Sequence, residues 1–555
     1  MEKIKQKLER ILNKVQKPSR YVGGEYNQIV KPRDAVNIRI ALCFPDTYEI
    51  GMSNLGLRIL YGVFNSIDDV WCERVFAPWP DMEKEMRHSA IPLYGLESFD
   101  AISDFDIIAF SLGYELSYTN VLNMLDLANI PLSRAERDDK HPLIIAGGTC
   151  CYNPEPMDSF FDLLVIGDGE EVSVEIIDLY RNMSGKDAFL RAASKCEGVY
   201  VPMLQEVSPQ TVTKRVVKDL DTAYFPVDTI IPSTRIVHDR AVLELFRGCA
   251  RRCKFCQAGN INAPMRMRSL DTLTQQAMAS IKNSGYDEIA LLSLSTSDYP
   301  YLGELCEKLI HWCEPRKVNL SLPSLRADNF NITILEQVQK VRKSGLTFAP
   351  EAGSQRLREY INKNITEDEL LNACRLAFSG GWNSVKLYFM LGLPTETDED
   401  VLAIADISHA VLDTWHKHTV NKKRGVRITV STSCFIPKPH TPFEREEQIE
   451  VSEYLRRVGL IKSSIRSKSI VYNYHSPEQG YIEAALSRGD KHTGKVIKAA
   501  WQAGARFDSW SEYFSLDLWV SAFEKSSIDP DFYARRKRSQ DEKLPWEIVA
   551  TKIKG

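Results

Sequence analysis

Between about residues 241 and 474, six short apolar runs alternate with stretches of helical period, and this alternation limits the available folds more than any other feature. The runs fall at 241–246, 288–294, 318–322, 345–349, 384–391 and 427–435. Runs of this length suit strands buried on both faces, and the stretches between them are long enough for the helical crossovers that parallel strands require. The helix ends are marked too. One stretch opens at Ser269 and stops at Gly285; another opens with the capping-box pattern Thr366-Glu367-Asp368-Glu369 and stops at Gly380-Gly381. Six βα units are fewer than the eight of a closed barrel. The expectation is therefore a partial (β/α)6 barrel, open on one side and with room for a large substrate.

A second alternating region precedes it, with apolar runs at 38–44, 107–110, 143–146 and 163–166 separated by amphipathic stretches such as Leu55–Asn65. This pattern implies a doubly wound parallel sheet, whose ligands sit where the loops after its strands meet. The chain is thus read as α/β in five parts. They are an N-terminal helix and arm (1–35), a Rossmann-type domain (36–182), a linker with a hairpin (183–235), a barrel (236–475) and a helical C-terminal extension (476–555).

Composition excludes several classes. The formal net charge is −4, so no global basic field recruits nucleic acid. No apolar run approaches the length of a membrane span, and the charged start lacks the apolar core of a signal peptide, which points to the cytoplasm. The most basic segment of the tail, Ala534-Arg535-Arg536-Lys537-Arg538, is expected to be a solvated helix face rather than an RNA-binding patch.

Twelve cysteines are too few for a disulfide scaffold in 555 residues, yet Cys249, Cys253 and Cys256 fall within eight residues. They lie in the loop at the end of the first barrel strand, where an α/β barrel keeps its active site. A fully coordinated 4Fe–4S cluster takes four thiolates, so three leave one iron open. Arg247, Arg251, Arg252 and Lys254 put positive charge nearby, which favours thiolate. A zinc site completed by His238 and three inert core thiols are the weaker alternatives. Cys150-Cys151, Cys306 and Cys313 are expected to pack in the core, and no second cluster motif is present.

With Phe255 before the last cysteine, the CxxxCxxC triad and the six βα units resemble the radical S-adenosylmethionine (SAM) superfamily over residues 241–474. The resemblance implies a 4Fe–4S cluster, SAM bound to its open iron, reductive cleavage of SAM, and an electron donor such as flavodoxin or ferredoxin. For the SAM site it implies Phe255, Gly259, Ser293, Ser295, Glu351, Arg356, Lys386 and Gly392. Glu351 would accept from the ribose hydroxyls, Lys386 or Arg356 would meet the carboxylate, and 391–394 would pack around adenine. The second strand departs from the superfamily's Gly-Gly-Glu run and carries Ser293-Leu294-Ser295-Thr296-Ser297-Asp298.

The preceding domain resembles the cobalamin-binding domain of many such enzymes. The resemblance assigns Asp46, Tyr48, Gly51, Ser111, Gly147 and Gly148 to cobalamin, with Tyr48 where a cobalt-ligating histidine stands in the DxHxxG pattern. Tyrosine is a poor cobalt ligand. Cobalamin would then bind without a histidine below the metal, or the domain is a repurposed scaffold. Over its whole length the chain looks like a bacterial family of cobalamin-domain radical SAM proteins, whose members sometimes occur fused or adjacent to a small partner domain, which for this chain would be encoded separately. The absence of three further cluster cysteines argues against methylthiotransferases. Three functions follow: radical chemistry with SAM, with methyl transfer through cobalamin as one form; modification of RNA or a ribosome component; and a noncatalytic iron–sulfur or cobalamin sensor.

Overall fold

In the computed structural model, which describes residues 3–322, 326, 328, 346–420 and 422–552, the first sheet forms from six strands. These are β1 (Ile38–Phe44), β2 (Val70–Phe76), β3 (Ile107–Ser111), β4 (Leu143–Gly147), β5 (Leu163–Val165) and β6 (Val199–Tyr200), in the order β2-β1-β3-β4-β5-β6. All are parallel except β6, which runs antiparallel to β5. The chain winds one way from β1 to β2 and the other way from β1 to β3, so the crevice between β1 and β3 is a topological switch point, where such sheets bind ligands.

Strand β2 has no simple apolar run because Glu73 and Arg74 occupy its centre, yet all seven of its residues are buried. Each charge is paired. Arg74 bonds Glu97 (2.7 Å) and Glu25 (2.8 Å), and Glu73 accepts from Arg39. Burying a charge is tolerable only with such partners. Glu25 comes from the N-terminal arm, which is thereby part of the sheet's core.

The expected hairpin in 183–235 does not form. Val199–Tyr200 extends the first sheet, and β7 (Val212–Thr213) pairs in parallel with Val549–Ala550 near the end of the chain. Each two-residue strand finds a longer-range edge to satisfy its backbone groups.

The barrel region holds β8 (Ala241–Glu244), the antiparallel pair β9 (Phe246–Arg247) and β10 (Arg266–Met267), then β11 (Glu288–Leu292), β12 (Asn319–Ser321), β13 (Leu346–Glu351), β14 (Ser384–Leu391), β15 (Arg427–Cys434) and β16 (Ile470–Tyr474). They form two parallel arcs, β12-β11-β8 and β13-β14-β15-β16. The described residues thus supply seven parallel strands where six were expected; Gly345, at the start of the fourth expected strand, lies outside them. β16 was missed because only Ile470 of its residues is fully buried. The caps read from sequence are present: Ser269 caps Leu270–Ser284, and Thr366 with Glu369 forms the capping box of Glu367–Ser379.

The tail is helical as expected, but it does not simply extend the barrel. Its Ile482, Ala485, Val496, Trp519 and Phe523 belong to the same continuous core as the first sheet. Asp508 accepts from Thr119 (2.7 Å) and Trp519 (2.9 Å), and Tyr533 donates to Asp490 (2.8 Å). Beside this seam, burial and the neighbouring Asp158 push Glu155 up to about 7. A carboxyl whose folded pKa lies above its unfolded value contributes stability below the unfolded pKa that is lost as pH rises through about 7. Glu155→Gln is therefore expected to melt higher than the parent at pH 8 and to match it near pH 4. Thermal denaturation at the two pH values tests this; an equal difference at both would refute it. Among the described residues no helix is long and apolar enough to cross a membrane.

Candidate radical SAM site

The β9–β10 pair closes residues 248–265 into one excursion at the carboxyl end of β8. It begins at Gly248 (φ +83°), where a Cβ would lie 2.7 Å from the Pro264 carbonyl oxygen, so a side chain there is excluded. Cys256 caps the short helix Gln257–Ile261, and its sulfur accepts from the Gly259 N–H at 3.3 Å. The Arg251 N–H approaches the Cys249 sulfur at 3.5 Å. Gly259 leaves space between the two: a Cβ there would sit 3.6 Å from the Cys256 sulfur and 3.9 Å from Cys249 Cβ.

The outer side of this loop is held by the segment after β13. Asn362 donates to the carbonyls of Arg251 and Arg252 (3.0 Å each), and the Lys254 N–H donates to the Ile361 carbonyl (3.0 Å). Burial pushes the Cys253 and Cys256 thiols up, while Lys363 draws both back down. The cationic neighbours differ from those expected. Arg247 turns to Glu244, Glu170 and Asp168, and Lys254 lies over the Tyr360 ring; Arg251 bonds Asp298 but remains near Cys249. Lys363 was missed from sequence, although the turn Asn362-Lys363-Asn364, with both asparagines at positive φ, marks its position.

Among the described residues no three His, Cys, Asp or Glu side chains converge on a single metal-ion position. A cubane cluster places each thiolate on a different iron and needs no such convergence. The donor set of three thiols on one backbone-braced loop fits it.

Glu351 ends β13 at φ +70°, after a register shift, and pairs with Lys363 at 3.2 Å. Non-glycine residues in this region are strained and are held there by their surroundings. Burial raises the Glu351 carboxyl against the opposing pull of Lys363. Phe255 packs in a small apolar cluster with Ala352, Leu357, Leu393, Phe435 and Phe443, so the cysteine loop and the 391–394 segment do meet. Gly392 (φ +90°) donates its N–H to Glu396 (2.6 Å), which the Arg457 guanidinium also holds. Glu396 was not among the expected site residues. Lys386 is exposed on β14 while its neighbours Val385 and Leu387 are buried beneath the helices, which places it on the open inner face.

Arg356 departs from expectation. It bonds Asp400, which sits in the first turn of the next helix, and the Thr395 carbonyl (2.9 Å). In the 293–298 loop, Ser295 is buried, and the Ser293 hydroxyl meets Thr296 (3.1 Å). Asp298, the acidic end of this loop, pairs with Arg251 of the cysteine loop.

A cavity of about 620 Å³ lies between the two sheets' carboxyl ends. From the first sheet it is lined by Ser111, Gly147 and Gly148, at the switch point and its neighbour strand; from the barrel, by Gly248, Ser293 and Leu294. Asp46, Tyr48 and Gly51 do not line it. Asp46 accepts from Trp510 (3.0 Å) of the tail, and the Tyr48 hydroxyl donates to the buried Glu25 (2.8 Å). Gly51 packs so closely that a Cβ would lie 2.3 Å from the Phe76 ring. The six cobalamin candidates therefore split: three meet at the cavity and three are engaged elsewhere in the first domain and the tail.

Residues 243–407 match the model of the radical SAM superfamily, and residues 56–202 match the model of the N-terminal region of radical SAM proteins. The chain belongs to the radical SAM superfamily. It is 29% identical over 494 residues to an uncharacterized protein of Methanocaldococcus jannaschii, covering 88% of this chain and 97% of that one. It is 22% identical to the tRNA-2-methylthio-N(6)-dimethylallyladenosine synthase of Psychrobacter sp., covering 48% of this chain and 55% of that enzyme. In fold it resembles the cobalamin-dependent SAM radical enzyme OxsB, solved with aqua-cobalamin and SAM, with a TM-score of 0.52 and 13% identity. That match covers 88% of this chain and 72% of OxsB. The chain is accordingly a radical SAM enzyme, and its superfamily implies a 4Fe–4S cluster, SAM and a reductant.

Proposed function

We propose that Cys249, Cys253 and Cys256 hold the cluster with one iron left for SAM, and that the inter-sheet cavity holds cobalamin for transfer of a methyl group. The observation that carries this reading is the shared lining of the cavity. Gly248, the residue before Cys249, faces the same space as Ser111, Gly147 and Gly148. Bound together, these groups supply an electron to cleave the sulfonium carbon–sulfur bond and a carrier for the methyl group. The protein's own part is positioning. Glu351 accepts from paired ribose hydroxyls, for which it would exchange part of its Lys363 contact. Phe255 and Leu393 offer apolar surface to adenine, and Glu396 fixes the Gly392 turn beside them. Lys386 is the cation we assign to the SAM carboxylate, since Arg356 is committed to Asp400.

Among the described residues no histidine lines the cavity, and the aliphatic side chains of Leu55, Ile59 and Leu60 approach it instead. A cobalamin held here would be bound without an imidazole from these lining residues. Anaerobic reconstitution with iron and sulfide, followed by dithionite, SAM and hydroxocobalamin, tests the reading. Expected are cluster and cobalamin absorbance, with 5′-deoxyadenosine or S-adenosylhomocysteine as product. A well-formed cluster that yields neither product would favour the sensor reading and overturn this one.

A further inference from the structure

Two segments of this acidic chain lack any acidic residue: 414–443 and 454–477. The fold brings their most basic parts together. Ile428 at the start of β15 pairs with Ile470 at the start of β16, and the Ile428 N–H donates to the Ser469 carbonyl (2.8 Å). The Arg466 N–H donates to His409 (3.3 Å), which docks the loop before β16 against the helix Asp398–His418. The described residues 422–426 and the loop 465–469 therefore share one rim of the barrel, at the strands' amino ends. Lys417, Lys422, Arg427, Lys462, Arg466 and Lys468 are all exposed there, and among the described residues none of them enters an ion pair. Lys462 lies over the Tyr474 ring at 4.5 Å. Asp413, one helical turn before Lys417, is the nearest acidic residue in sequence.

A second basic run shows how the chain treats cations it uses internally. In 534–538, Arg535 pairs with Asp531 (3.1 Å), Arg536 with Glu542 (2.7 Å) and Lys537 with Glu446 (2.8 Å). Arg538 is buried against Trp546. That run is neutralised within the molecule, and the barrel rim is not. Like charges gathered without counterions repel one another, and a polyanion relieves that cost.

We infer that this rim is a docking surface for the phosphate backbone of RNA. Lysine, arginine and serine are the side chains that hold phosphates, and the run Lys462-Ser463-Ser464-Ile465-Arg466-Ser467-Lys468-Ser469 alternates them. Its hydroxyls also suit the 2′-hydroxyl that separates RNA from DNA. β16 is the outer strand of its arc. The surface is independent of the chemistry proposed above, so either can fail alone.

The test is fluorescence anisotropy of a labelled 20-nucleotide single-stranded RNA with the full chain, from 50 to 200 mM salt. Six phosphate contacts give a log–log salt slope of about −4 and roughly a 300-fold loss of affinity over that range. The variant Lys422→Ala/Arg466→Ala/Lys468→Ala should lower the slope to about −2. The variant Arg535→Ala/Arg536→Ala/Lys537→Ala should leave it unchanged. Three outcomes overturn the inference: no binding at 50 mM salt, equal weakening by both variants, or equal affinity for DNA of the same sequence. Displacement of the RNA by poly-glutamate at equal charge concentration would instead assign the rim to an acidic protein and also overturn it.

Discussion

Cys253→Ala is expected to cut 5′-deoxyadenosine formation more than 100-fold and to leave the reconstituted protein depleted of iron. Disturbing groups that only support a metal ligand costs about 10–100-fold, so loss of a thiolate ligand itself should exceed that range. The comparison that gives the result meaning is Cys306→Ala. Cys306 is also fully buried, but it packs among Leu305, Leu309 and Leu320 in the apolar core beneath the first arc. Its truncation removes one small apolar group, costs about 1 kcal/mol of stability, and should leave iron content and product unchanged. Glu351→Gln provides an intermediate case. It keeps the side-chain shape and removes the charge that faces Lys363, so the cluster should assemble normally while the KM for SAM rises. Iron and sulfide analysis, with product quantified by chromatography, separates the three variants. If Cys253→Ala retained a full cluster, the ligand assignment would fail.

These residues were legible in sequence to different degrees for a physical reason. The cysteine triad is local: its spacing, the glycine at 248 and the preceding strand lie within a few residues, so sequence alone places it. Phe255 and the 391–394 segment are distant in sequence, and only the apolar cluster with Ala352 and Phe443 shows that they meet. Arg356 pairs with Asp400, a contact that sequence does not announce because a cation's partner depends on which acid the fold brings near. The same effect hid β2, whose paired Glu73 and Arg74 break the apolar run. Strand β16 was hidden differently, since partial burial leaves almost no pattern to read. The tail's attachment was illegible for a third reason. Contacts such as Thr119 to Asp508 close loops of several hundred residues, and nothing in the local pattern of either segment announces the other.

Gly147→Leu is expected to abolish cobalamin binding while sparing the cluster and SAM cleavage. Gly147 ends β4 with ordinary backbone geometry, and a Cβ placed there meets nothing closer than Val165 at 3.8 Å. A leucine is therefore accepted by the backbone, and its remaining carbons enter the cavity that Gly147 lines. Gly148 next to it behaves oppositely. At φ +115° its Cβ would lie 2.5 Å from the Leu112 carbonyl oxygen, so Gly148→Ala strains the turn itself and should cost about 1–3 kcal/mol, read as a lower melting temperature. The pair separates filling the cavity from breaking its wall. The expected result for Gly147→Leu is a melting temperature near that of the parent, loss of cobalamin absorbance after gel filtration, and retained 5′-deoxyadenosine formation from the cluster site. Cobalamin retained at parental affinity would place it outside this cavity. Simultaneous loss of the cluster would show that Gly147 supports the cysteine loop across the inter-sheet space, joining two sites that the reading keeps distinct.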